Sequence, residues 1–191
     1  GPLDGRFSVS VDAARVAHEV VTHFRGRGSI RGLRLDPLGV LLGQAGLGGE
    51  AAFEFDTIDL ALGRINRLRF SGNVSGMSLR EWLQAWGKGS ATGRVSIQVN
   101  NLDIVDDAIK SADIEISVLP PKGGAGLIDR QLLLTAAERV LNFSWPANFP
   151  KGILPEQVEY AEFGMRLLVR DNRLRILGTH GPNGETILTI K

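Results

Sequence analysis

Three histidines and one acidic cluster are the residues whose types could hold a metal or move a proton in this 191-residue chain. His18 and His23 lie five apart. On a helix of 3.6 residues per turn that spacing leaves them well out of line, so they cannot share an ion as an i, i+4 pair does. His180 is remote from both in the sequence. Asp103, Asp106 and Asp107 offer oxygen ligands for a hard cation, but they lack the glycine and the regularly spaced ligands of a calcium loop, and the group reads as a solvated turn between strands. With no cysteine there is no thiolate metal site, no cysteine nucleophile and no disulfide framework. We expect no metal and no cofactor.

The glycine-rich stretches invite a phosphate-cradling reading and fail its geometry. Gly46, Gly48 and Gly49, like Gly123, Gly124 and Gly126, do not complete a G-x-G-x-x-G turn between a strand and a helix. Gly87-Lys88-Gly89-Ser90 lacks both the Walker spacing and a hydroxyl residue directly after its lysine. No G-x-S-x-G elbow occurs. With 22 basic and 21 acidic residues, the net charge of +1 provides no electrostatic footprint for a nucleic acid. These readings together predict a protein that is not an enzyme and does not bind nucleic acid.

The elements that would position any site are mostly strands. Phe53 and Phe55 alternate with Glu54 and Asp56, Leu68 and Phe70 with Arg67 and Arg69. The same period of two runs through Val95, Ile97 and Val99, and through Ile114, Ile116 and Val118. Alternation puts each apolar set on one face of an extended strand, as in antiparallel sheets. The parity switches between Phe55 and Ile58, which predicts a β-bulge near Asp56-Thr57. Toward the C-terminus the pattern predicts two hairpins in series, turning at Asp171-Asn172 and at Pro182-Asn183-Gly184.

Three segments read as helices. Val16, Val20 and Phe24 recur every four residues behind an Asp12 cap, predicting a helix over 12–24 that ends at Gly26 and Gly28. Ser78 and Glu81 form an S-x-x-E capping box opening a helix over 78–86. Leu132, Leu133, Ala136, Val140 and Leu141 make a stripe over 128–143. A fourth short helix is expected around 37–44. The fold class expected is therefore mainly β with a few α-helices (α+β), a curved antiparallel sheet with helices covering one face or end. One domain spans 3–191, with a sub-boundary expected near 120–126. Gly1-Pro2 has the form left by a cleaved expression tag and is set aside.

One apolar sheet face needs a cover, and three short helices offer little of it. Two outcomes follow. Either Phe53, Phe55, Leu68, Phe70, Val95, Ile97, Val99, Ile114, Ile116 and Val118 line a channel for acyl chains, or they fill a core against one another. Trp82 and Trp86, four apart beside Leu79 and Leu83, form an apolar helix face. It serves a membrane or partner surface, or packs onto the sheet.

Three stretches carry a family resemblance: Gly93-Arg94-Val95-Ser96-Ile97-Gln98-Val99 leading into Asn101-Leu102-Asp103-Ile104-Val105; Leu68-Arg69-Phe70-Ser71-Gly72-Asn73-Val74 ahead of Trp82; and Leu174 to Thr179 with Thr186 to Ile190. In these the chain resembles the AsmA-like envelope proteins, the group with TamB- and YdbH-like members. The resemblance implies a long curled β-sheet with an apolar groove, in the periplasm of a diderm envelope. It also implies lipid transport between the two membranes in outer-membrane biogenesis, phospholipid or another acyl lipid as ligand, envelope proteins as partners, and a parent chain anchored in the inner membrane. Three helices depart from a pure groove and suit a terminal or capping region. The alternative is a structural or assembly module of a cell-envelope machine that binds protein partners.

Overall fold

A computed structural model of the chain describes residues 5–18, 20–41, 46–85, 87, 89–139 and 154–190. Ten strands, β1 (Arg6–Ala17), β2 (Val20–Arg34), β3 (Glu50–Ala61), β4 (Arg64–Ser78), β5 (Arg94–Val105), β6 (Ala108–Leu119), β7 (Gly126–Asp129), β8 (Gln157–Arg170), β9 (Arg173–Gly178) and β10 (Leu188–Ile190), form one antiparallel open sheet. Three helices interrupt them among the described residues: α1 (Leu35–Leu41), α2 (Leu79–Ala85) and α3 (Arg130–Arg139). The protein is mainly β.

The connections alternate in kind. β1–β2, β3–β4, β5–β6 and β8–β9 close through tight turns, and the non-glycine residues with positive φ sit there: His18, Leu62, Asp106, Asp107, Asp171 and Asn172. Two successive left-handed residues, as in Asp106-Asp107 and Asp171-Asn172, make the turn whose twist matches a hairpin. At the opposite rim the chain crosses through α1, α2, and the stretch from β7 through α3 to β8. β6 before residues 120–125 and β7 after them both pair with β8, so the Pro120-Pro121-Lys122-Gly123-Gly124 stretch joins two strands of the same sheet.

The helix expected over 12–24 is a hairpin instead. β1 pairs with β2, and Asp12 is the residue skipped in the register between Val11 and Ala13. The spacing of four that suggested a helix joins Val16 near the end of β1 to Val20 and Phe24 on β2, across the tight turn at His18, so a hairpin with apolar residues on both arms imitates helical period. Gly26 and Gly28, expected to stop a helix, lie mid-strand, where a Cβ on either would meet a β1 carbonyl oxygen at 2.5 Å.

Other elements shift less. The bulge expected near Asp56-Thr57 is present, with the register skipping between Phe55 and Thr57. α1 lies where the short helix was expected, and residues 42–45 fall outside the described residues. α2 begins after Ser78, but the reciprocal capping bond is not made, because the Ser78 amide donates to the Leu47 carbonyl at 2.7 Å. The third helix starts later than expected: Ile128 and Asp129 belong to β7, paired with Val158 and Gln157. Its expected end, 140–143, and the rest of 140–153 lie outside the described residues.

The C-terminal pair of hairpins is half right. β8 and β9 form the first around Asp171-Asn172. After it the chain loops back, closed by the His180–Thr186 bridge, and β10 pairs with β8 rather than β9. Ile187 supplies the reason, since its carbonyl takes the Gly164 amide at 2.8 Å and returns the chain to the same β8 edge.

Candidate functional site

Strand register assembles the predicted apolar residues into rows that run across the sheet. One row reads Phe7, Ile30, Phe53, Gly72, Val99, Ile114, Leu167, Ile176 from β1 to β9. The next reads Val9, Gly28, Phe55, Phe70, Leu102, Ala112, Val169, Leu174. Toward the tight-turn rim a third joins Val11, Gly26, Ile58, Leu68, Ile104 and Ile109. Toward the helical rim Val74, Ile97, Ile116 and Met165 are in register, and beyond them Met77, Val95, Val118 and Phe163. Directly paired residues share a face, so the ten predicted residues stand on one.

The rows differ in burial. Phe53, Phe55 and Phe70 form an aromatic cluster on β3 and β4, with ring centroids 5.5 to 6.4 Å apart and Phe53 edge-on to Phe70. All three are half-buried, as are Leu68, Ile97, Ile114 and Ile116. Val95 and Val118 are 1% and 4% exposed, and Val99 is also buried. Val95 and Val118 join Met77 and Tyr160 in the core cluster, against which Leu79, Trp82, Ile128, Phe163 and Leu188 pack.

Within that end of the face lies a cavity of about 290 Å³. Leu79, Trp82 and Leu83 of α2, Leu132 and Ala136 of α3, and Val95, Ile116 and Val118 of the sheet contribute to its wall, which exposes no polar atom. Tyr160 closes one side with its ring: its hydroxyl donates to the Thr92 carbonyl, so no polar atom of it faces the cavity. Burial pushes the Tyr160 phenol above its ordinary pKa.

The Trp82 side chain therefore packs onto the sheet. It contacts the core cluster and lines the cavity, which is the packing alternative of the two readings given for this helix face. Large apolar surface is normally buried when a neighbour can cover it. Trp86 lies outside the described residues.

The opposite face is polar and cross-linked. Arg31 pairs with Glu54 at 3.0 Å, Arg25 and His23 with Asp59 at 3.3 and 3.2 Å, and Arg67 with Asp103 at 2.9 Å. Arg166 grips Asp113 through two bonds of 2.8 and 2.6 Å. Those bonds hold the Asp113 carboxyl below the usual carboxylate range and raise the guanidinium pKa in return. Of the acidic cluster weighed as a cation site, Asp103 is held by Arg67, and Asp107 accepts from the Ile65 amide at 3.0 Å and from Arg64 at 3.2 Å. Those two carboxylates are structural. Among the described residues no group of three or more His, Asp or Glu side chains is placed to hold a metal ion.

Sequence reasoning missed the β8 wall, Tyr160, Phe163 and Met165, although Phe163, Met165, Leu167 and Val169 alternate as clearly as the strands it used. No family model, curated protein or solved structure matches the chain.

Proposed function

We propose that this protein binds acyl lipid through the apolar face of its sheet, with the end of a hydrocarbon chain seated in the cavity between α2, α3 and β5, β6 and β8. The sheet curves about this face and the helices cap its end. A phospholipid or another acyl lipid is the ligand, the activity is non-enzymatic, and the setting is an AsmA-like role in lipid transport across a periplasm.

The observation that carries this reading is the cavity of about 290 Å³ whose wall exposes no polar atom. Ile116 at its wall is two residues from Ile114 on the same face, so the half-buried rows begin beside it. A polar ligand entering it would leave its hydrogen-bonding groups unpaired at a cost of about 1–3 kcal/mol each. A hydrocarbon forfeits nothing, and each buried methylene contributes roughly 0.8 kcal/mol. The volume sits at the low end for small-molecule sites, which suits one chain rather than a whole lipid.

Native mass spectrometry of protein purified without detergent, followed by titration with a fluorescent fatty acid, tests the proposal. Co-purified lipid or saturable uptake supports it. A lipid-free protein that takes up no probe overturns it.

A second reading, a protein-binding envelope module, is favoured by β1, which among the described residues pairs on one edge only and whose Phe7, Val9 and Val11 are more than half exposed. Pull-down of envelope proteins without lipid uptake would select it.

A further inference from the structure

β1 is an edge strand of 12 residues that pairs only with β2 among the described residues. It carries neither proline nor lysine, and its bulges fall at Asp12 and between Arg15 and Val16, leaving 6–11 as a regular unblunted stretch. Phe7, Val9 and Val11 are 54%, 61% and 55% exposed. They continue the apolar rows of the sheet outward and leave those rows unfinished at the edge.

We propose that this edge pairs with the β1 edge of a second copy of the chain, antiparallel about Val9. The argument is the order of residues 6–12. Arg6, Phe7, Ser8, Val9, Ser10, Val11 and Asp12 run basic, apolar, polar, apolar, polar, apolar, acidic. Laid antiparallel about Val9, the segment is its own complement. Arg6 stands opposite the partner's Asp12 and Asp12 opposite the partner's Arg6, Phe7 opposite the partner's Val11, Ser8 opposite the partner's Ser10, and Val9 opposite the partner's Val9. Opposite charges facing one another across a strand pair stabilise it, and like charges there destabilise it.

Neighbouring registers lose these matches. A slip of one residue sets Phe7 against Ser10 or Asp12 and turns the apolar sets to opposite faces. A slip of two keeps the faces but sets Arg6 against Ala14 or Ser10, and both ion pairs vanish. The bulge at Asp12 ends the regular stretch at Val11, so the Arg6–Asp12 pairs stand at its two ends and continuous pairing does not extend beyond them.

The far edge of the sheet does not compete. It is divided between β9, six residues, and β10, three residues, with the His180–Thr186 loop between them. A β1-to-β9 contact would also be head-to-tail and open-ended, whereas β1 against β1 closes on a two-fold axis. That axis stands perpendicular to the sheet in an antiparallel pair, so the apolar faces of both copies lie on the same side. The inference stands apart from the lipid reading, because it rests on an edge and not on a cavity.

The test uses the chain's lack of cysteine. Val9→Cys introduces a sole thiol on the proposed axis, and Val16→Cys, 65% exposed beyond the bulge, is the control. Under mild oxidation Val9→Cys is expected to form a disulfide-linked dimer well ahead of Val16→Cys. Sedimentation of the unmodified chain over a concentration series should show a monomer–dimer equilibrium. Arg6→Asp should weaken it about tenfold, and Arg6→Asp combined with Asp12→Arg should restore it. Circular dichroism checks that each variant is folded. A monomer at every concentration, equal cross-linking of the two thiol variants, or no recovery in the double reversal overturns the proposal, whether or not lipid binds.

Discussion

The ring of Tyr160 lies across Gly126: a Cβ built on that glycine would stand 2.1 Å from two ring carbons. The two residues are paired in register on β7 and β8. Tyr160 is 2% exposed and its hydroxyl is bonded to Thr92, so the ring cannot swing aside. The short β7 thus owes its close approach to the absence of a side chain at one position.

Gly126→Ala should therefore destabilise the fold by about 1–3 kcal/mol, the range for forcing a methyl into a packed site. Gly124→Ala is the matched control, because nothing lies within 4 Å of its Cβ position. It should stay within about 0.5 kcal/mol of the parent. Urea denaturation of the two variants measures the difference, and equal midpoints would contradict the packing described.

Phe70→Ala removes the residue that joins Phe53 to Phe55 across β3 and β4. Because Phe70 is only half-buried, the cost should be about 1–3 kcal/mol, below that of a fully enclosed aromatic. Uptake of a fluorescent fatty acid should fall as well. Phe70→Leu should keep most of the stability and most of the uptake, since the apolar row is preserved.

Acid should weaken the polar face in a defined direction. Asp113 has its pKa lowered by the Arg166 hydrogen bonds, and Asp107 by the Ile65 amide and then Arg64. A carboxylate depressed in the folded state contributes stability that is fully present above its unfolded pKa, about 3.9, and is lost as pH falls through the folded pKa. Melting temperature should thus decline below about pH 4. Arg166→Ala should flatten that decline while lowering stability at neutral pH only modestly, because the guanidinium is 42% exposed. A parent and variant with parallel pH profiles would contradict the assignment.

Much of the sheet was legible because its signals are local. Val95 to Val99 and Ile114 to Val118 alternate cleanly, and the parity switch at Asp56-Thr57 marked its bulge correctly. Asp171-Asn172 named its own turn type. The β1–β2 hairpin was not legible, since Val16, Val20 and Phe24 keep the spacing of helical turns across it. Return of β10 to the β8 edge was equally hidden, being fixed by the distant Gly164–Ile187 bond. The cavity is the least local feature of all: Leu79, Leu132, Val118 and Phe163 meet only after four elements have been placed. Trp82 could be assigned to a helix from sequence, but the side of the helix that found a cover is a property of the sheet beneath it.

Ala136→Phe offers a way to separate the cavity from the open rows. Ala136 lines the cavity from α3, and a phenyl group there occupies the space proposed for a chain end. Folding should be nearly unchanged, since the ring enters an existing void rather than packed atoms. Fatty-acid affinity should drop at least tenfold, read by displacement of a fluorescent probe. Unaltered binding would place the hydrocarbon elsewhere on the molecule.

The most direct measurement is fatty-acid affinity as a function of chain length at low and high salt. If the apolar face and its cavity receive the tail, each added methylene should tighten binding by up to roughly fourfold until the cavity is filled, with little effect of salt. Affinity that is flat with chain length, or that collapses as salt is raised, would show that the headgroup is what the protein holds and would contradict the account.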